Sequence, residues 1–191
     1  MKKKSVKIIS IIMIVLTLSI CIPVNASGVY TDVPKDAAYA DSLEHLTSLG
    51  IFTASEKFNP NAPLTREQFT RIICIAAGLE TLANSMRGST EFPDVSATSW
   101  SSGYINAAVG KGYIGGLADG KFHPTQPITY MQICTILVRA LGYTINDLPG
   151  TYPYNVITKA YELGLTDGIT LKKDDSVSRS TAAIIIDRFL N

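Results

Sequence analysis

Histidine, tryptophan and cysteine are scarce in this sequence of 191 residues, which contains two, one and three of them. Neither His45 nor His123 has a second ligand at metal-binding spacing, such as His-Glu-x-x-His, so no zinc site is expected. The acidic spacing of a calcium-binding loop is missing as well. No Gly-x-Ser-x-Gly nucleophile motif and no glycine-rich phosphate loop occurs. The sequence therefore predicts neither an enzyme nor a bound cofactor, and leaves open only carboxylates that the fold brings together.

Long apolar runs are also missing, except for one at the start of the chain. Lysines are concentrated before this run, the run extends from Ile8 to Ile22, and a Val-Asn-Ala triplet ends at Ala26. This order is typical of a secretory signal peptide that is cleaved after the small residue. A run of 15 residues is shorter than the roughly 20 that a membrane-spanning helix needs. We therefore predict a signal peptide over residues 1–26 and no membrane span after its cleavage.

Removal of the signal peptide changes the charge balance of the chain. Four lysines would leave with it, so that 13 Lys and Arg residues remain against 16 Asp and Glu residues, a net charge of −3. A weakly acidic protein argues against nucleic acid or an anionic membrane as its main partner. Two cysteines also remain, Cys74 and Cys134, each within an apolar helical run. Buried free thiols are the favoured interpretation, and a disulfide formed outside the cell is the alternative.

The remainder of the chain contains an internal repeat. Residues 58–65 and 122–129 share an aromatic residue, two prolines, an aliphatic residue and a threonine at the same relative positions. A third copy is weaker and keeps only an aliphatic residue and a serine at Val177 and Ser178. Self-similarity of this kind is the sequence signature of a repeat architecture. We divide the chain into repeat 1 (28–80), a surface connector (81–90), repeat 2 (91–143) and a divergent repeat 3 (144–191).

Each copy is predicted to form two helices joined by a loop. Prolines exclude regular helix from the loop, and Thr65 with Gln68 and Thr129 with Gln132 have the spacing of capping boxes at the start of the second helices. Glycines end the first helices at Gly50, Gly112 and Gly164. The second helices are apolar nearly all round and must be buried. Because one repeat of roughly 50 residues cannot hide that surface alone, we expect the copies to share one core.

These features resemble the S-layer homology (SLH) repeat. The resemblance is carried by the aromatic-x-Asp-Val opening, Trp100 early in a first helix, the loop from Asp119-Gly120 to Pro124, and the aliphatic-Thr-Arg start of a second helix. It covers about residues 28 to 191. It implies an all-α fold in which three helix-loop-helix repeats pack as a pseudo-threefold prism around a central bundle of second helices. It also implies a secreted chain, held non-covalently at the cell wall of a Gram-positive bacterium by an acidic secondary cell-wall polysaccharide, pyruvylated in many members, in grooves between repeats.

Two arginines are the first candidates for contacting such a polysaccharide. The resemblance assigns Arg66 and Arg179 to the family's conserved arginine, whereas Tyr130 replaces it in repeat 2. At the first position of a helix a cation opposes the helix dipole by about 0.3–1 kcal/mol, which suggests a further use. Arginine can bind a carboxylate through two parallel hydrogen bonds, and the free amides of a helix start also bind anions. An ion pair of Arg66 with Glu67 or Asp41 is the structural alternative.

The aromatic and acidic candidates also have structural alternatives. Trp100 suits stacking on a sugar ring or a place in the core, and Tyr152 is its counterpart in repeat 3. Asp32 and Asp94 could accept hydrogen bonds from sugar hydroxyls, but a role as a cap or turn former is favoured for both. The departure of Tyr130 from the family pattern puts at least one groove in doubt.

Two rival functions remain at the level of sequence. The loss of the arginine in repeat 2 favours a helical envelope scaffold that binds another surface protein after its glycan site has decayed. A wall-glycan hydrolase would need a cleft with two carboxylates about 5 to 10 Å apart.

Overall fold

The computed structural model describes residues 30–191, and these residues form seven α-helices and one short 3-10 helix, without an extended strand. The all-α class predicted from the sequence is confirmed. The predicted signal peptide, residues 1–26, lies outside the described residues. The helices are α1 (Ala40–Ser48), α2 (Arg66–Ala76), α3 (Glu80–Ser85), α4 (Ser102–Gly110), α5 (Tyr130–Ala140), α6 (Tyr154–Glu162) and α7 (Arg179–Leu190), with the 3-10 helix at Ile145–Asp147.

The predicted capping boxes are present at the start of two second helices. The Thr65 side chain accepts a hydrogen bond from the Gln68 amide, and the Gln68 side chain accepts one from the Thr65 amide. Thr129 and Gln132 form the same pair in repeat 2. In repeat 3 the Ser178 side chain accepts a hydrogen bond from the third residue of α7. The left-handed residues that follow the first helices are Gly50, Gly112 and Gly164, with φ of +72°, +73° and +74°.

The three repeats are joined by a closed cycle of backbone hydrogen bonds. The Leu64 amide donates to the Val177 carbonyl at 3.0 Å, the Val177 amide to the Ile128 carbonyl at 3.1 Å, and the Ile128 amide to the Leu64 carbonyl at 2.8 Å. All three residues are fully buried, and each directly precedes the capping residue of a second helix. We call this cycle the hydrogen-bond ring. Because a buried backbone group without a partner is costly, the hydrogen-bond ring fixes the order in which the repeats meet.

Helix packing follows the same cyclic order. Helix α2 of repeat 1 packs against α4 of repeat 2, α5 of repeat 2 against α6 of repeat 3, and α7 of repeat 3 against α1 of repeat 1. Each second helix therefore meets the first helix of the following repeat more extensively than it meets the other second helices. The expected central bundle of second helices is accordingly not the main packing contact, although α2 and α7 do touch. The prism shape itself stays a prediction.

A short helix occupies part of the segment predicted as a surface connector. Helix α3 packs against α4 and buries Ala83. A Cβ atom on Gly103 of α4 would lie 2.1 Å from the Ala83 carbonyl oxygen, so only glycine permits this close approach. The connector is therefore part of the packed fold, a feature that its small and polar composition did not reveal.

Both cysteines of the described chain are buried free thiols, which confirms the favoured interpretation. The Cys74 thiol donates a hydrogen bond to the Tyr104 carbonyl, across the α2–α4 contact. Burial raises the pKa of Cys74 and of Cys134 to about 12. Both thiols are therefore protonated at neutral pH and belong to the core that the repeats share.

Candidate functional site

Arg66 is a buried side chain that reaches from repeat 1 into the loop of repeat 2. Its Nε donates to the Phe122 carbonyl at 2.8 Å and its Nη2 to the Gly115 carbonyl at 3.1 Å. The guanidinium lies 4.8 Å from the centroid of the Phe122 ring, and the residue is 2% exposed. Burial lowers the pKa of Arg66 to about 10, against the opposing effect of the nearby Asp94 carboxylate. Arg66 therefore stays charged while it links two repeats.

Arg179 repeats this arrangement between repeat 3 and repeat 1. Its Nε donates to the Phe58 carbonyl at 2.6 Å, and its guanidinium lies 4.8 Å from the Phe58 ring centroid. The guanidinium also lies 5.4 Å from the Phe52 ring centroid. Burial lowers the pKa of Arg179, although its side chain is less enclosed than that of Arg66. We call the two equivalent arrangements, Arg66 on Phe122 and Arg179 on Phe58, the arginine clamps.

Asp32 and Asp94 bind the backbone of the same loops that the clamps contact. The two Asp94 oxygens accept hydrogen bonds from the Phe122 and His123 amides at 2.9 and 2.7 Å. The two Asp32 oxygens accept from the equivalent residues of repeat 1, both at 2.7 Å. The second amide in each pair belongs to a residue with positive φ, Asn59 at +57° or His123 at +56°. Both aspartates therefore stabilise a left-handed loop conformation that non-glycine residues seldom adopt.

The structure thus corrects part of the sequence interpretation of these residues. The proposed ion pair of Arg66 with Glu67 or Asp41 is wrong, because the guanidinium donates to two carbonyls of the next repeat. The two aspartates do have the favoured structural role, but their partners lie 26 to 29 residues away rather than in a local cap.

The aspartates predict a specific dependence of stability on pH. Burial acts to raise the pKa of Asp32 and of Asp94, but the amide hydrogen bonds outweigh it, so both pKa values lie below the ordinary value. A carboxyl group with a lowered folded-state pKa stabilises the fold above its unfolded pKa of about 3.9 and loses that effect as the pH falls through the folded-state pKa. We expect the free energy of unfolding to decline below about pH 4.

Urea unfolding at several pH values, with a double Asp32→Asn and Asp94→Asn variant, measures this effect. The variant should be less stable at pH 7 and should show a shallower decline below pH 4. Asp36→Asn serves as the control because Asp36 is exposed and has no hydrogen bond to its side chain within residues 30–191. Equal slopes for all three proteins would contradict the assignment.

One groove takes side chains from all three repeat segments, and we call it the first groove. It has a volume of about 380 Å³, within the range of about 300–1,000 Å³ that is usual for ligand sites. Repeat 1 contributes Arg66, repeat 2 contributes its loop and one side of α5, and repeat 3 contributes Tyr152. Two of the residues predicted from the sequence are therefore brought together here. The polar and aromatic residues of its wall are Arg66, Tyr113, Gln132, Thr135, Arg139, Asn146 and Tyr152.

A smaller groove, the second groove, occupies the equivalent seam next to the other clamp. Its volume is about 150 Å³, and Arg179, Gln68 and Arg71 line it. Trp100 is 46% exposed, so the core role considered for it is wrong. It does not line this groove, but the adjacent Ser101 donates a hydrogen bond to Glu67 at 2.7 Å, which places its segment beside α2.

Tyr130 stands where the third seam would carry a clamp arginine. It is the first residue of α5, and its amide donates to the Asp175 carbonyl in the loop of repeat 3, as the Arg66 amide donates to the loop of repeat 2. Its ring is 4% exposed, and burial raises its pKa. An uncharged aromatic group therefore replaces the guanidinium that the other two seams have at this position. The replacement of the family's arginine by Tyr130, seen in the sequence, therefore makes this seam different from the other two.

Sequence reasoning missed several residues of the first groove. Arg139 lies in the last turn of α5 and lines the groove without any hydrogen bond or ion pair from its guanidinium to another residue of the described chain. Tyr113 and Gln132 also lie in its wall. The sequence identifies Gln132 only as a capping residue. The available signal for Arg139 was a lone cation at the end of an otherwise apolar helix.

The charge of both grooves is positive. Among the described residues, no Asp or Glu lines either groove, while each groove has two arginines. A cavity with one sign of charge and low-dielectric walls concentrates ligands of the opposite charge. Both grooves can therefore accept an acidic ligand, and in the first groove Tyr113 and Tyr152 can also cover an apolar face of that ligand.

Two further findings concern residues 30–191. No cluster of three or more His, Cys, Asp or Glu side chains is arranged to hold a metal ion in this part of the chain. No helix within it has the length and apolar character needed to span a membrane.

A ring of helical repeats with a basic groove at two of its seams defines a repeat-built module. The family model of the S-layer homology domain matches residues 29–70 and 91–134. The chain belongs to this family. Residues 144–191 lie outside the two matched segments, and their assignment as a third repeat is a proposal supported by the hydrogen-bond ring.

Several related proteins are named as surface proteins of bacteria. A "Cell surface protein" of Thermoanaerobacter kivui is 32% identical over 98% of the chain, and a "Surface layer protein" of Brevibacillus choshinensis is 34% identical over 73% of it. An "Endoglucanase" of a Bacillus species is 26% identical over 97% of the chain. The chain spans only 24%, 13% and 22% of these relatives.

The family and these relatives assign the chain to the cell surface of a Gram-positive bacterium. They also support a general role in anchoring at the cell surface. The expected location and the general kind of function are therefore confirmed.

Proposed function

We propose that the chain anchors non-covalently to the cell wall by binding an acidic secondary cell-wall polysaccharide, such as a pyruvylated one, in the grooves between its repeats. The observation that carries this proposal is the first groove, where arginine and tyrosine side chains of three repeats meet without a carboxylate. A carboxylate on the sugar would pair with Arg139 and with the remaining N–H groups of Arg66, and the Tyr152 ring would cover the apolar face of the sugar.

The two arginines of the first groove have different parts in this proposal. Arg66 already donates to two carbonyls, so it supplies charge and at most its remaining N–H groups. Arg139 has its full set of donors available within the described chain. Single contacts of this kind are weak, and capture along a repeating polymer by more than one groove raises the overall strength. Asp32, Asp94 and Trp100 line neither groove, so the proposal does not depend on them.

Sedimentation with purified wall sacculi of the producing bacterium tests the proposal. We expect the protein to pellet with intact sacculi and to stay in solution once acid extraction has removed the secondary polymer. Pelleting that persists unchanged after extraction would instead favour the alternative, a helical scaffold that binds another envelope component.

Tyr152→Ala supplies the residue-specific prediction. Tyr152 is 47% exposed at the rim of the first groove, so its removal should leave the fold intact and weaken binding about tenfold, which corresponds to about 1.4 kcal/mol. Tyr161→Ala is the matched control, because Tyr161 is 62% exposed and lies outside the grooves. Equal affinity of both variants for intact sacculi would remove the first groove from the binding site.

A further inference from the structure

A cavity of about 360 Å³, which we call the side pocket, adjoins the first groove. Arg139, Ile145 and Asn146 line both cavities, so the two are adjacent and share part of their walls. The side pocket also has Lys111 and Thr144 in its wall. A ligand that fills the first groove can therefore extend past Arg139 into a second space.

Two cations converge on the side pocket from different helices. Lys111 follows the end of α4, and Arg139 lies in the last turn of α5. Neither side chain has a hydrogen bond or an ion pair with another described residue, and no carboxylate of residues 30–191 lines the pocket. A basic side chain near a helix C-terminus is favourable by itself. That effect explains one cation at the end of each helix, but it does not explain why both cations line one cavity. The hydroxyl of Thr144 and the amide of Asn146 line the same cavity.

We propose that the side pocket is a second anion subsite for the same polymer, with Lys111 and Arg139 binding the negative charge of the neighbouring sugar unit. This inference rests on the proposed function, and it adds that the acidic group recurs along the polymer. Occupation of two adjacent cavities by one chain would make affinity depend on the length of the ligand, because the second contact is intramolecular once the first has formed.

Binding of polysaccharide fragments of different length tests this inference. The probe is the polymer extracted with acid from the sacculi, partially hydrolysed and separated into fragments of one and of two or more repeating units. We expect the longer fragments to bind the unaltered protein about tenfold more tightly than the single unit, as measured by calorimetric titration.

Lys111→Glu is the informative variant, since Lys111 is exposed and lines the side pocket but not the first groove. It should abolish the gain from length and leave binding of the single unit unchanged. Lys172→Glu is the matched control, with the same charge change at an exposed lysine outside both cavities. Tyr152→Ala should weaken the binding of both fragment sizes.

The outcomes separate the inference from the proposed function. If Lys111→Glu keeps the full gain from length while Tyr152→Ala weakens both fragments, the side pocket is not a subsite and the proposed function stands. The side pocket is likewise excluded as a subsite if long and short fragments bind the unaltered protein equally. If no fragment binds the unaltered protein, the proposed function fails, and the inference fails with it.

Discussion

Arg66→Ala is expected to lower the free energy of unfolding by about 3 kcal/mol, a large fraction of the stability of a small domain. The variant leaves the Phe122 and Gly115 carbonyls without their charged donor and removes the group that covers the Phe122 ring. Because Arg66 is 2% exposed, water cannot readily replace these hydrogen bonds. Urea unfolding followed by far-ultraviolet circular dichroism measures the change.

Arg66→Lys distinguishes the geometry of the guanidinium from its charge. A lysine keeps the positive charge but cannot supply two donors in a planar fork, so we expect it to recover only a minor part of the loss. Arg179→Ala should cost less, about 1 kcal/mol, because this arginine donates to one carbonyl and is less enclosed. Arg87→Ala is the control: Arg87 is exposed, and such changes usually stay within about 0.5 kcal/mol.

Arg66→Ala also decides between two roles for the Arg66 clamp. If Arg66 served only to bind a carboxylate, Arg66→Ala would abolish pelleting with sacculi and leave the free energy of unfolding unchanged. Because Arg66 is buried, we expect Arg66→Ala to lower the free energy of unfolding directly. Binding should weaken only as a consequence, through the altered shape of the groove. Binding should therefore be compared well below the unfolding transition of the variant.

Local signals in the sequence predict the elements of this fold well. The capping pairs Thr65–Gln68 and Thr129–Gln132 locate the starts of two helices, because their hydrogen bonds join residues only three positions apart. Gly50 and its equivalents locate the ends of the first helices for a similar reason. The apolar character of the second helices predicts their burial, and the buried residues of α5 confirm it.

Contacts between repeats could not be predicted in the same way. Helix α2 meets α4 of the next repeat, and nothing in either helix specifies this partner over α1 of its own repeat. The position of Arg66 at a helix start suggested an exposed anion site, yet its side chain crosses to carbonyls 49 and 56 residues away. Arg139 was missed because the role we propose for it depends on a cavity that exists only after three repeats meet.

Removal of helix α7, by ending the chain at Ser178, is expected to abolish cooperative folding of the whole protein. The deletion removes Ala182, Ala183, Ile185 and Ile186, which are all fully buried. Burial of one isoleucine side chain contributes about 1.5–3 kcal/mol, so the loss rivals the total stability of about 5–15 kcal/mol for a small domain. It also removes the helix that α1 packs against.

The informative part of this prediction is which helices lose protection from hydrogen exchange. In a linear array of repeats, loss of the last helix would disturb its neighbours in sequence and spare repeat 1. In the cyclic order observed here, α1 of repeat 1 loses its packing partner directly, and Phe58 loses the Arg179 clamp. Hydrogen exchange should therefore show the amides of α1 losing protection at least as much as those of α4, although the sequence of repeat 1 is intact.

Two point variants of α1 supply a milder form of the same test. Leu46 is fully buried and Leu49 is 49% exposed, so Leu46→Ala should cost about 2–5 kcal/mol and Leu49→Ala much less. A truncated chain that still melts cooperatively, with α1 protected, would show that the repeats fold independently. If instead the ring is the cooperative unit, the grooves exist only in the complete ring, because the first groove takes side chains from all three repeats. No single repeat could then bind the wall polymer, and the divergent third repeat would be required for binding even though the seam between repeats 2 and 3 has Tyr130 in place of a clamp arginine.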